Sequence, residues 1–416
     1  MERLVVRGGR PLCGEYAVPP AKNAVLPMMA LSVALGGELR LLRCPRIRDV
    51  EEMAALLGTL GVKVRREGED IRLDAGKISS FDCRHPAAGQ MRSSVFLLGP
   101  LLARCKHVVL AQPGGCVIGS RPIDIHLAGL GALGVRFEWQ DGVLIGNAEG
   151  ARAGRYRLPY PSVGATVNLL IFASSLGEVS VFENVAVEPE ILDLVALLRR
   201  CGAKIEVFGR EMRVRGGVLQ GAVWQAVADR IVAATLVTAV ATCGGEVRLH
   251  GIGRPLLAPL WDKIENNSCH LTAWCDTIRV LSSGRGQAFS VCTAPYPGFA
   301  TDMQALALAH NACAVGRAIV AERVFEGRFA LARELRRMGA CIRVEGRVAY
   351  VEGRRLHGAR VRVPDLRAGA GLVLAALAAG GTTIIEQLAP IDRGYERIED
   401  CFAGLGADIL REREIE

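Results

Sequence analysis

Cys116 lies in the stretch Pro113-Gly114-Gly115-Cys116-Val117-Ile118-Gly119-Ser120-Arg121-Pro122. Glycines at 114, 115 and 119 let such a loop bend sharply and approach a ligand closely. With Arg121 nearby, the stretch offers a thiol beside a fixed positive charge. A cation favours the thiolate and can also hold a phosphate or carboxylate against the sulfur. A turn carrying one more small apolar cysteine is the plain alternative. In a chain with 13 cysteines, that alternative governs Cys116 taken alone.

The other residues with chemical promise sit at predicted helix starts. These are Ala21-Lys22-Asn23-Ala24, Met91-Arg92-Ser93-Ser94, Ser162-Val163-Gly164-Ala165-Thr166, Asp229-Arg230-Ile231, Thr301-Asp302-Met303-Gln304 and Asp365-Leu366-Arg367-Ala368. Each precedes a mostly apolar helix without a broad polar face, so the helices are expected to be buried. Their N-termini carry positive dipole ends that favour anions. For Asp302 and Asp365 the residue types alone point to simple N-capping.

A second tag repeats in the same phase, in Leu60-Gly61-Val62-Lys63-Val64, Leu133-Gly134-Val135-Arg136-Phe137, Cys201-Gly202-Ala203-Lys204-Ile205, Met338-Gly339-Ala340-Cys341-Ile342 and Leu405-Gly406-Ala407-Asp408-Ile409. Glycine just past a helix end, followed by alternating apolar residues, is a C-cap feeding a strand. The copies stand roughly 70 residues apart with one double gap, which a glycine-free copy at Asn267-Ser268-Cys269-His270-Leu271 fills. The chain is therefore expected to be six copies of one βαβ-like unit. Gly129-Leu130-Gly131-Ala132-Leu133-Gly134 matches a dinucleotide fingerprint in letters only, because it leaves a helix for a strand and the fingerprint does the reverse.

Composition narrows the function classes. Half of the 416 residues are hydrophobic and only 5% aromatic, which suits a Val/Leu/Ile/Ala core. A net charge of +8, spread along the chain mostly as arginine, favours a small anionic substrate over nucleic acid. The opening residues are too polar for a signal peptide, and no apolar run reaches the roughly 18 residues of a membrane span. Thirteen scattered cysteines point to reduced thiols in the cytoplasm.

Taken together, the six units, Lys22-Asn23, the cysteine loop, Ser162 to Thr166, Thr301 to Ala305 and Asp392-Arg393-Gly394-Tyr395-Glu396-Arg397-Ile398-Glu399-Asp400 resemble the UDP-N-acetylglucosamine 1-carboxyvinyltransferases, a family of enolpyruvyl transferases. The likeness runs nearly end to end. It implies two inside-out α/β domains of three units each, one spanning 22–229 and the other 1–21 plus 230–416. It implies transfer of the enolpyruvyl group of phosphoenolpyruvate to the 3′-hydroxyl of UDP-N-acetylglucosamine, with release of phosphate, early in peptidoglycan synthesis and hence in cell-wall biogenesis, cell shape and division. No metal, organic cofactor, membrane or nucleic-acid partner is implied.

By the same resemblance Lys22, Arg121 and Arg397 match the phosphoenolpyruvate cations. Cys116 matches the proton donor of the mobile loop, Asp302 the carboxylate beside the 3′-hydroxyl, and Asp365 a second acidic position near the thiol. The nucleotide sugar maps onto Asn23, Arg92, Arg121, Pro122, Ile123, Asp124, Ile125, Tyr160, Ser162, Val163, Gly164, Asp302 and Val324. Gly164 fits either close approach to a ligand or tight helix packing. Departures from the family pattern stand at Val187, Val232, Arg323 and Gly327. They keep open a divergent, slow or regulatory relative, alongside a 3-phosphoshikimate 1-carboxyvinyltransferase.

Overall fold

In the computed structural model, residues 2–84, 92–111, 119, 122–265 and 269–413 are described. They form six four-stranded sheets. One repeat shows the plan. The short strand Arg155–Arg157 leads into the helix Val163–Ala173, which returns through the strand Val179–Glu183, parallel to the first. The helix Pro189–Arg200 then feeds the hairpin Lys204–Phe208 and Glu211–Arg215, whose second strand pairs antiparallel with Val179–Glu183. The two helices differ as their sequences require. Val163–Ala173 is apolar nearly all round and is buried from Ala165 to Ala173. Pro189–Arg200 has proline at its start, Glu190 in its first turn and Arg199 and Arg200 in its last, the polarity that its dipole favours.

The five tag glycines, Gly61, Gly134, Gly202, Gly339 and Gly406, all have positive φ, between 88° and 115°. That conformation strains any residue with a Cβ, which is why the tag keeps glycine where the chain turns from helix to strand. The glycine-free sixth copy still builds a complete sheet: the helix Arg254–Ile264 is followed by the strands Cys269–Trp274 and Thr277–Ser282. The Gly129–Gly134 stretch ends the helix Asp124–Ala132 and enters the strand Arg136–Gln140, so no phosphate-binding turn forms there.

Two compact units result, with a boundary between Pro19 and Pro20 and another between Val227 and Ala228. Each has its own hydrophobic core. In the unit holding both termini, the buried helices Arg230–Cys243, Gln304–Cys313 and Leu366–Ala378 pack on one another, with the sheets outside them. The chain closes this unit with its own beginning. Glu2–Arg7 lies between Thr382–Glu386 and Asp408–Arg413, with Val5 opposite both Ile384 and Leu410. In the other unit, Ala222–Trp224 returns to pair with Leu39–Leu41 and completes the first sheet. No helix among the described residues is long and apolar enough to cross a membrane.

Candidate functional site

Three buried helices of the unit with both termini begin beside an aspartate, and the three aspartates do different work. Asp229 accepts from the N–H groups of Ile231 and Val232 at 2.8 and 3.1 Å. Asp365 accepts from those of Arg367 and Ala368 at 2.9 and 3.0 Å. Both are N-caps. Asp302 is not, contrary to the capping expected from its residue type. A short 3-10 turn, Thr301–Met303, precedes its helix and moves the cap position back to Ala300, so Asp302 falls inside the turn and not at its cap.

Two guanidiniums take it instead. Arg328 donates to Asp302 Oδ1 and Arg367 to Oδ2, each at 2.8 Å, while Arg328 also donates to the Thr301 carbonyl at 2.6 Å. The arginine side chains are only 6% and 7% exposed, against 22% for Asp302. Burial by itself would raise the carboxyl pKa, but Arg367 and Arg328 outweigh it and hold Asp302 well below the usual carboxylate range. Arg367 also meets the hydroxyl of Tyr395, which shares a 2.8 Å hydrogen bond with Thr235 Oγ1. Neither Arg328 nor Arg367 stood out in the sequence, although Arg367 lies in the stretch noted for Asp365.

Val324 is tied to Thr301, the chain neighbour of Asp302, through a buried carboxylate that the sequence did not flag. Glu322 accepts from the N–H groups of Val324 and Phe325 at 2.7 and 3.0 Å, and from the hydroxyls of Thr293 and Thr301, both at 2.9 Å. Arg397 is placed differently. It begins the helix Ile398–Gly404 at a φ of 46° and its side chain is 68% exposed, bonded to Asp400. Arg411 pins the segment on either side through Asp392 at 2.7 Å and Glu399 at 2.9 Å. A non-glycine residue in this left-handed region is held there by its surroundings.

In the other unit, Lys22 is the first residue of the helix Lys22–Leu31 and pairs with Asp49 at 2.7 Å; their side chains are 11% and 3% exposed. A cation at a helix N-terminus opposes the dipole, and the buried carboxylate offsets that. Asn23 follows Lys22 in the first turn of the same helix. Arg92 opens the 3-10 turn Arg92–Leu97, and its charge is close enough to act on His126. Pro122 and Ile123 lead into the helix Asp124–Ala132, which Asp124 and Ile125 begin. Tyr160 is exposed; Ser162 precedes the helix Val163–Ala173, which no side chain caps. A Cβ at Gly164 would sit 2.9 Å from His126 Cε1 and 3.0 Å from its Nε2, so tight packing against that ring accounts for the glycine. Cys116 and Arg121 lie outside the described residues.

Of the departures, Val232 is buried in one core and Val187 packs against the other. Asp365 allows a direct test. Asp365→Ala is expected to cost about 1 kcal/mol of stability through loss of the cap, read as a fall in melting temperature. A drop in kcat of more than about tenfold in the folded variant, worth about 1.4 kcal/mol of barrier, would assign it a chemical role as well. Unchanged kcat would leave the cap as its whole role.

Comparison with known proteins bears on both units. The family model of EPSP synthase (3-phosphoshikimate 1-carboxyvinyltransferase) matches residues 6–402. A UDP-N-acetylglucosamine 1-carboxyvinyltransferase of Trichlorobacter lovleyi is 42% identical over 418 residues, covering 100% of both chains. One of Halorhodospira halophila is 40% identical over 415 residues, 99% of each. Among solved structures, the enolpyruvyl transferase NikO of Streptomyces tendae superposes with a TM-score of 0.87 at 22% identity, over 99% of this chain and 98% of that one. EPSP synthase of Acinetobacter baumannii gives 0.74 at 15%, over 99% of this chain and 100% of its own. At these identities the two structures speak to the fold alone.

Proposed function

The chain belongs to the EPSP synthase family of enolpyruvyl transferases, and on that footing we propose that it transfers the enolpyruvyl group of phosphoenolpyruvate to the 3′-hydroxyl of UDP-N-acetylglucosamine. Identity of 42% from end to end with a relative named for that acceptor carries this reading over 3-phosphoshikimate. The product is a peptidoglycan precursor, formed in the cytoplasm.

The chemistry is an addition followed by an elimination. The sugar oxygen bonds to C2 of phosphoenolpyruvate while a proton is delivered to the methylene carbon. Loss of a proton from that carbon and departure of phosphate then restore the double bond. Cys116 delivers the proton to carbon, and Asp302 receives the one leaving the sugar hydroxyl. Proton transfers positioned in this way contribute roughly a hundredfold to ten-thousandfold each. Lys22, Arg121 and Arg397 bind the phosphate and carboxylate of phosphoenolpyruvate, a ligand with two adjacent anionic groups that needs cations fixed in advance. Asn23, Arg92, Pro122 to Ile125, Tyr160, Ser162 to Gly164 and Val324 hold the nucleotide sugar, whose diphosphate suits the uncapped start of the Val163–Ala173 helix.

The deciding assay is phosphate release from phosphoenolpyruvate with UDP-N-acetylglucosamine, with 3-phosphoshikimate and without acceptor. Release with the nucleotide sugar alone, together with an enolpyruvyl product, supports this reading. Release with neither acceptor, from a folded protein that binds the nucleotide sugar, points to a regulatory relative. For the thiol, Cys116→Ser is expected to abolish covalent addition of fosfomycin, an epoxide phosphonate, read as loss of the mass shift on the intact protein. An undiminished adduct would place the reactive thiol elsewhere.

A further inference from the structure

Asn168, in the middle of the buried helix Val163–Ala173, makes three hydrogen bonds with its amide. Oδ1 accepts from the backbone N–H of Gly99 at 2.7 Å, and Nδ2 donates to the Val95 carbonyl at 2.9 Å and to His126 Nδ1 at 2.9 Å. A backbone N–H only donates and a carbonyl only accepts, so these two partners fix which end of the amide is which. Nδ2 is then the donor to His126, and Nδ1 of the imidazole is an acceptor. The ring is neutral, with its proton on Nε2. Burial, and after it the Arg92 charge, pushes the His126 pKa down to about 3, in the same sense.

The edge of the ring that bears this proton lies against the first turn of the Val163–Ala173 helix, where glycine at 164 makes room for it. His126 is only 5% exposed, yet Nε2 has no hydrogen-bond partner among the described residues. Nε2 is not among the fully enclosed polar atoms left without a partner, so its N–H can reach a ligand or a water. Three segments meet at the Asn168–His126 pair: Val95 to Gly99, which follows Arg92; the helix begun by Asp124 and Ile125; and the helix begun by Val163 and Gly164. Residues assigned above to the nucleotide sugar begin two of these segments and precede the third.

We propose that His126 is a specificity-determining residue of the nucleotide-sugar subsite, its Nε2–H, oriented by Asn168, donating to a diphosphate oxygen seated on the first turn of the Val163–Ala173 helix. The proposal rests on the nucleotide-sugar reading. A neutral donor suits the place, because it adds directionality to the helix N–H groups without adding a charge that burial would oppose.

The test begins with calorimetric binding of UDP-N-acetylglucosamine to the wild-type protein. Absence of binding there would overturn the acceptor reading and the His126 proposal together. Given binding, His126→Phe is expected to weaken it by about tenfold to a hundredfold, as for loss of a hydrogen bond to a charged group. KM for phosphoenolpyruvate is expected to change by less than about threefold, within the half kcal/mol of an ordinary indirect effect. His126→Gln, whose amide N–H reaches the position of Nε2, should restore most of the affinity. Nitrogen NMR of the wild-type protein should show His126 protonated on Nε2, with that resonance moving when the nucleotide sugar is added, and this reading stands even if the Phe variant fails to fold. Unchanged affinity in a folded Phe variant, parallel loss for both substrates, or a proton on Nδ1 would each overturn the role of His126 while leaving the acceptor reading intact.

Discussion

Asp302→Asn is expected to lower kcat by roughly a hundredfold to ten-thousandfold, the contribution of a positioned proton acceptor, with a smaller rise in KM for the nucleotide sugar. The carboxylate between Arg328 and Arg367 is a weak base, held well below its usual range despite its burial. A weak base is enough if it acts late. As the sugar oxygen bonds to C2 of phosphoenolpyruvate it takes on positive charge, and the acidity of its proton rises far above that of an alcohol. The two arginines keep Asp302 ionised and oriented, and on the proposed mechanism the transfer waits for the bond to form.

Asparagine retains the shape and one acceptor oxygen but removes the charge that neutralises two nearly buried guanidiniums. Removing one partner of a buried pair typically costs about 3–5 kcal/mol, so the melting temperature should fall together with kcat. Acid titration separates the two effects. A carboxyl with a lowered folded pKa contributes stability that is present above its unfolded value, about pH 4, and is lost as pH falls through the folded one. The stability gap between the wild-type and variant proteins should accordingly hold near neutrality and narrow only below about pH 4. A variant that keeps wild-type turnover despite this loss of stability would make Asp302 an anchor for the arginines and nothing more.

The local parts of this molecule were legible before its long-range ones. The glycine tags could be read because a positive-φ C-cap is written in one residue and its neighbours, and the apolar helices because burial on every side leaves no polar stripe. What could not be read depends on partners far apart in the chain. Asp302 meets Arg328 and Arg367 across 26 and 65 residues, and His126 meets Asn168 across 42. No spacing rule connects such positions, since the fold alone brings them together. Asp302 shows the point most clearly. Its sequence setting resembles that of Asp365, yet one extra turn of 3-10 helix converts a cap into an arginine-bound carboxylate.

Lys22→Met is expected to reduce kcat/KM for phosphoenolpyruvate by roughly a hundredfold to a thousandfold, the loss seen when one fixed electrostatic donor is removed from a reacting centre. It should also destabilise the fold, because Asp49, 3% exposed, loses the lysine 2.7 Å away. That loss again belongs in the range of about 3–5 kcal/mol, and a damaged fold could by itself lower the rate. A second substitution distinguishes the two causes. Asp49→Asn in the Lys22→Met background removes the buried negative charge that Lys22 neutralised, so the double variant should recover part of the melting temperature. Turnover should not recover, because no cation has returned to the start of the helix. Lys22→Arg should fare little better than methionine, since a planar guanidinium does not fit the place of a compact ammonium within reach of Asp49. If the double variant regained turnover along with stability, Lys22 would prove to be a residue of the core, and the phosphoenolpyruvate site would have to be built from the remaining cations.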